Sequence, residues 1–216
     1  MTLELRDTPL VFVDDLSTPE LREVDFNHLT KSRRLSEGSE IAISDGQGRY
    51  RLTELAMNPN NLSDIQETKA PKNTTVYFPP VKNERPEYVV QKLTELGVRT
   101  IGLIETERSV IKWDSDKAVD KIQKLAEVAR QGAMQSKQLW LPTVAGIHSL
   151  NELSDDSVCF AEPDGDEIEA GDLTIAIGPE GGFTEQELAG RSTRGLPGGV
   201  LRSETAAVAA ATLLVC

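Results

Sequence analysis

The sequence predicts an α/β protein in two parts, a small β-rich unit followed by a larger, mostly parallel sheet covered by helices. Three observations carry that prediction. From Thr74 onward, short apolar runs alternate with segments of helical spacing, the rhythm of a parallel sheet with crossover helices. Before Thr74 the apolar runs are separated by turns rich in glycine and asparagine. The 216 residues, 38% apolar and 27% charged, suffice for a buried core, yet no apolar run approaches the roughly 20 residues that span a bilayer.

In the first part, Pro9-Leu10-Val11-Phe12-Val13 is a short apolar run, residues 25–34 read as a helix, and Ile41-Ala42-Ile43 reads as a strand. Asp45-Gly46-Gln47-Gly48 supplies hairpin chemistry, because glycine accepts the positive φ that such turns require, and residues 50–55 return as the partner strand. Asn58-Pro59-Asn60-Asn61 marks another turn, and Lys69-Ala70-Pro71-Lys72-Asn73 a linker, so the parts divide as 1–72 and 73–216.

The second part begins with the strand Thr75-Val76-Tyr77-Phe78. Pro86 suits a helix's first turn, and Val89, Val90, Leu93 and Leu96 follow at helical spacing until Gly97 stops it. Residues 100–104 form the next strand. Ser115 is placed to cap a helix over 116–134, with Val119, Ile122, Leu125, Ala126 and Ala129 on its buried face. Val158-Cys159-Phe160 and residues 173–177 are continuously apolar, as strands inside a parallel sheet are. Thr184 and Glu187 form a capping box that opens another helix, and an alanine-rich helix over 206–215 closes the chain.

The formal net charge is −12, from 23 Lys+Arg and 35 Asp+Glu. Taken globally, that argues against a nucleic-acid partner. Its distribution argues otherwise. Nine acids and no Lys or Arg lie between Glu152 and Asp172, so this segment supplies −9 of the −12. Residues 31–51 hold Lys31, Arg33, Arg34, Arg49 and Arg51 against three acids, and residues 82–137 hold eleven basic and nine acidic side chains. The acidic segment is expected to be a solvated excursion that leaves these regions open to a polyanion. Cys159 and Cys216 exclude a disulfide framework and fit a reducing compartment, and Met1-Thr2-Leu3-Glu4 lacks the basic start of a secretory signal.

Three constellations stand out. Gly178-Pro179-Glu180-Gly181-Gly182 follows a buried strand and precedes the capped helix, where open α/β sheets bind ligands; the alternative is an ordinary tight strand-to-helix turn. Leu196-Pro197-Gly198-Gly199-Val200-Leu201-Arg202-Ser203-Glu204-Thr205 runs from a glycine bend into a polar helix start, where Arg202 and Glu204 either act in a site or simply cap and solvate the helix. Gln91-Lys92 and Glu95-Leu96-Gly97-Val98 end a helix with charges of either surface or functional use. No Walker loop or dinucleotide glycine pattern is present. His28 and His148 are the only histidines, which leaves no metal site to expect, and no nucleophile elbow appears.

Together and in order, with Glu107-Arg108-Ser109 and Gln135-Ser136 between them, these motifs resemble the 16S ribosomal RNA (uracil-N3) methyltransferases of the SPOUT superfamily. Arg33-Arg34-Leu35 and the 45–48 turn are similar to that family's PUA-like N-terminal domain. The family usually carries a basic residue where this chain has Gln138, and often an acid where it has Met134. The resemblance implies a PUA-like β-barrel RNA-binding domain over 1–72 and a trefoil-knotted methyltransferase domain over 73–216. It implies S-adenosylmethionine held between three loops, at Ala161, Glu162, Ile177, Gly178, Gly181, Gly182, Leu196, Gly198, Val200 and Leu201. It implies Arg202 and Glu204 as catalytic residues, with 16S rRNA or the small ribosomal subunit contacted by Lys31, Arg33, Arg34, Arg49, Arg51, Arg85, Lys92 and Arg108. A homodimer through the knot, cytoplasmic residence, and no metal or membrane complete the expectation. The alternatives are another RNA substrate, or a non-catalytic RNA-binding or assembly factor with a vestigial pocket.

Overall fold

The computed structural model describes residues 5–80, 85–111, 113, 115–153 and 157–216, with the backbone alone for Arg85, Ser115 and Asp116. The chain forms two compact units, one from Met1–Pro71 with Arg130–Leu141, the other from Lys72–Ala129 with Pro142–Cys216.

In the first unit, β1 (Leu10–Phe12), β2 (Glu40–Ser44), β3 (Arg49–Glu54) and β4 (Gln66–Glu67) make a mixed sheet in that order. β1 runs parallel to β2, and the other pairs are antiparallel. The expected hairpin turn joins β2 to β3, with Gly46 at φ 72° and Gly48 at φ 87°. Gly48 is needed for space as well, since a Cβ there would lie 2.4 Å from the Trp140 ring. The helix expected over 25–34 is instead α1 (Glu23–Asn27) continued by a π-helical turn, His28–Ser32. That wide turn keeps Leu29 in the core and returns Leu35 to the same cluster. The Arg130–Leu141 segment is anchored by Arg130. Its guanidinium donates to both oxygens of Asp25, at 2.9 and 2.6 Å, and to the Phe12 carbonyl at 3.0 Å, with both side chains buried.

In the second unit, β5 (Thr75–Phe78), β6 (Thr100–Glu105), β7 (Thr143–Ser149), β8 (Val158–Asp166), β9 (Thr174–Ala176) and β10 (Thr193–Arg194) form a sheet ordered β10-β8-β9-β5-β6-β7. Every pair is parallel. Strand alternation sorts the core into two faces. Val76, Phe78, Ile101, Leu103, Ile175 and Ile177 meet α2 (Arg85–Leu96), α3 (Ser115–Ser136) and α5 (Ser203–Val215), while Ile104, Phe160 and Ala176 meet Phe183 and the 150–153 turn. The small side chains of Ala207, Ala210 and Ala211 are fully buried on α5, which lets that helix pack closely on α2.

Several expectations are corrected. Val119 is 57% exposed and Ala126 is exposed, so the apolar residues that α3 buries in the second unit are Leu125 and Ala129, flanked by Ile122 and Val128. The capping box forms, but α4 (Glu185–Leu188) spans one turn, because Ala189 leaves helical geometry and Gly190 follows at φ 75°. β4, β7 and β10 were not expected; each is an edge strand whose existence depends on a partner's register. The acidic segment is no mere excursion. β8 carries it through the sheet to Asp166, and Asp172 pairs with Arg194. Asp164, Asp166, Glu167 and Glu169 do face solvent, whereas Asp155 and Asp156 lie outside the described residues. Among the described residues, no helix is long and apolar enough to cross a membrane.

Candidate active site

The glycine loop after β9 is fixed from two sides. The Ile177 amide still donates to the Tyr77 carbonyl at 2.8 Å, so the loop departs from a paired strand end. Gly182, at φ 68°, closes a turn by donating to the Pro179 carbonyl at 2.8 Å, a conformation that glycine adopts without strain. From α5, the Ser203 hydroxyl donates to the Gly178 carbonyl at 2.7 Å. From the turn after β6, Arg108 Nη1 donates to the carbonyls of Gly181 at 2.7 Å and Phe183 at 3.3 Å. The loop then enters α4 through reciprocal bonds between Thr184 and Glu187, whose second carboxylate oxygen accepts from the Glu107 amide at 2.7 Å. Phe183 packs edge-on against Phe160, with ring centroids 5.2 Å apart.

Around this loop lies a cavity of about 270 Å³. Nine of the ten residues expected to hold a cofactor line it: Ala161, Glu162, Ile177, Gly178, Gly181, Gly182, Leu196, Val200 and Leu201. Gly198 is not among the lining residues; at φ 107° it bends the 196–201 loop beside Leu201. Ala161 and Glu162 sit in the middle of β8, not in a loop, because β10 pairs alongside with a register shift between Phe160 and Asp166. Burial raises the Glu162 carboxyl above the usual carboxylate range. Ser203 also lines the cavity, a role the sequence does not signal, because a serine beside two charged residues reads as part of a polar helix start. Those neighbours flank it without lining the cavity. Arg202, exposed and extended, is the N-cap of α5, and Glu204 is half-buried in its first turn.

The expected RNA-contacting cations divide by environment. Lys31, Arg33 and Arg34 are exposed in the first unit, on and just after the π turn. Arg49 forms a 2.7 Å ion pair with Asp45 and remains half-exposed. Arg51 spends its guanidinium on the unit's own backbone, donating to the Leu16 carbonyl at 3.0 Å and to that of Ser63. In the second unit, Lys92 pairs with Glu95 at 2.8 Å, and Arg108 holds the glycine loop. The Arg85 side chain lies outside the described residues.

Cys159 is a poor nucleophile. Burial, with the Asp172 carboxylate alongside, pushes its thiol up to about 11, so it stays protonated and donates to Asp172 at 3.3 Å. Among the described residues, no group of three His, Cys, Asp or Glu is arranged to hold a metal ion.

Residues 68–215 match the family model of the RNA methyltransferase domain, and residues 21–63 match that of the RNA methyltransferase PUA domain. The ribosomal RNA small subunit methyltransferase E of Bacillus subtilis is 26% identical, over 90% of this chain and 88% of that protein. Its namesake from Mycobacterium bovis is 28% identical, over 85% of this chain and 80% of that protein. Among solved structures, the ribosomal RNA small subunit methyltransferase E of Neisseria gonorrhoeae, bound to S-adenosyl methionine, superposes with a TM-score of 0.81 at 23% identity, covering 96% of each chain.

Proposed function

Since the chain belongs to the RNA methyltransferase family, we propose that it methylates N3 of a uridine in 16S rRNA, using S-adenosylmethionine. The observation that carries this reading is the convergence of residues 161–163 and 177–182 with Leu196, Gly199, Val200, Leu201, Ser203 and Ala206 on one cavity. Its volume lies near the lower bound of ligand pockets, about 300 Å³. Its lining fits the cofactor: closely approachable backbone and small side chains suit a flat purine, and the Glu162 and Glu180 carboxyls suit hydroxyl or cationic groups. When bound, the cofactor supplies an electrophilic methyl group.

The chain's own residues do the rest. Ser203 and Arg108 hold the glycine loop in register before any ligand arrives, so binding need not order it, which lowers the cost of positioning the reacting atoms. Uracil N3–H must lose its proton as the new N–C bond forms. In this reading the Arg202 guanidinium stabilises the negative charge that develops on the base, and the Glu204 carboxylate takes or relays the proton. Their place on either side of Ser203, at the mouth of α5, supports both roles.

The same reading makes residues 1–72, with the Arg130–Leu141 segment that belongs to that unit, a PUA-like RNA-binding domain and the rest of 73–216 the knotted methyltransferase domain. A homodimer through the second domain would cover apolar residues exposed there, among them Val200 at 90% and Leu213 at 41%. The work is cytoplasmic, where small subunits are assembled. Of the expected phosphate contacts, Lys31, Arg33 and Arg34 are the best placed, being exposed cations that the structure does not commit to its own backbone.

Nucleoside mass spectrometry of small-subunit RNA from cells lacking the protein tests this. 3-Methyluridine should disappear and return when the purified protein and S-adenosylmethionine are added to small subunits. Arg202→Ala and Glu204→Ala should abolish that return while calorimetry still detects cofactor binding. Absence of cofactor binding by the wild type would favour a non-catalytic RNA-binding factor.

A further inference from the structure

The cavity between the glycine loop, β8 and the start of α5 has a one-sided charge. Among the described residues that line it, Glu162 and Glu180 are acidic and none is Lys, Arg or His. The methyl-transfer step set out above gives neither carboxylate a role. Their environments differ. Glu180 is exposed, whereas Glu162 is half-buried in the middle of β8, where water and salt screen its charge less.

The nearby cations stand outside the lining. Arg108 spends Nη1 on the carbonyls of Gly181 and Phe183, is exposed, and does not line the cavity. Arg202 and Glu204 flank the lining residue Ser203 with opposite charges, and neither of them lines the cavity. What a ligand meets directly is therefore the pair of carboxylates. Burial raises the Glu162 carboxyl, and the charge of Asp164 raises it further, while the Phe183 amide and the Arg108 charge oppose them.

A negative wall matters here because methyl transfer changes the charge of what it holds. The transfer breaks a carbon–sulfur bond and leaves its electron pair on sulfur, so a sulfonium cation becomes a neutral thioether. The methyl group bonds to the base nitrogen, whose proton has gone. The ammonium and carboxylate of the methionine part are the same before and after. We propose that Glu162 is a specificity-determining residue of this cavity: its carboxylate favours the sulfonium form over the spent thioether, and so speeds exchange of product for fresh cofactor. The proposal rests on the S-adenosylmethionine reading above and extends it from binding to discrimination. A sphere of 270 Å³ is about 8 Å across, and over such distances one unit charge changes affinity by about tenfold at the effective dielectric of a half-open site.

Calorimetry on the full chain tests this with S-adenosylmethionine and with S-adenosylhomocysteine, the product of the transfer, at about pH 7, where the ammonium groups of both ligands are charged. The quantity read is the ratio of product to cofactor dissociation constants. Glu162→Gln keeps the shape and removes the charge, and should lower that ratio about tenfold. Glu180→Gln should lower it less, because its charge is exposed to solvent. In the wild type the ratio should also fall between about pH 7 and pH 4.5, as Glu162 takes up its proton, and fall less in Glu162→Gln. An unchanged ratio in Glu162→Gln, or a larger fall in Glu180→Gln, overturns the proposal while the cofactor reading stands. Should Glu162→Gln bind neither ligand, the wild-type pH series decides, and a constant ratio overturns the proposal. Binding of neither ligand by the wild type removes the cofactor reading and the proposal together.

Discussion

Replacing Asp172 by Asn should destabilise the second unit far more than its place in an acidic stretch suggests. Asp172 and Arg194 form a two-point pair, Nε to Oδ2 at 2.5 Å and Nη2 to Oδ1 at 3.1 Å, with side chains only 12% and 13% exposed. The pair is half-buried, so removing one partner costs at most about 3–5 kcal/mol, the surviving charge staying partly desolvated. Glu169 lies 3.9 Å from Arg194 but is 74% exposed, so it recovers no more than about 1 kcal/mol. A net loss of at most about 2–4 kcal/mol follows, and with a urea slope of about 2 kcal/mol/M the midpoint falls by up to about 1–2 M. Asn keeps the volume of Asp, so no cavity confuses the comparison. The Arg194 hydrogen bond holds the Asp172 carboxyl below its ordinary value of 3.8. Its contribution is therefore present above that value and is lost as pH falls through the lowered folded value. Urea unfolding followed by circular dichroism should show the full gap between wild type and variant at neutral pH and a closing gap below about pH 4. A neutral-pH shift under about 0.3 M, or a gap undiminished at about pH 2, would refute the reasoning.

Ser203→Ala removes one buried hydrogen bond to the glycine loop and should weaken S-adenosylmethionine binding by about 3–10-fold in calorimetry, the equivalent of one net hydrogen bond. In the first unit, Arg130→Met leaves the Asp25 carboxylate buried without its two-point partner and should cost about 3 kcal/mol in urea unfolding. Adding Asp25→Leu should restore much of that loss, since an apolar pair of similar size can replace a buried ion pair.

What was legible in the sequence was local. The hairpin turn, the Gly97 stop and the Thr184–Glu187 cap depend on residues within a few positions of one another, and all three formed. In the second unit the strands with a neighbour on each side, β5, β6, β8 and β9, announce themselves as apolar runs. The glycine loop was legible as a strand-to-helix turn, while the cavity residues were named from the family resemblance, and nine of those ten line one cavity. Ser203 was not legible, since a serine that clamps a carbonyl looks like any serine at a helix start.

Charge was the least legible property. A cation in the sequence has the same formal charge whether it faces a phosphate or its own backbone. Only the fold commits Arg51 to the Leu16 and Ser63 carbonyls, Arg130 to Asp25, and Arg108 to the glycine loop. It likewise turns Asp172 from one of nine clustered acids into half of an ion pair, and carries Glu162 into the cavity on β8. By itself, then, the sequence determined the order of elements, the turn and cap chemistry and the glycine loops, because those are set by short-range sterics and hydrogen bonding. The tertiary structure decided which edge strands exist and which charges remain for a ligand, because both depend on partners distant in the chain.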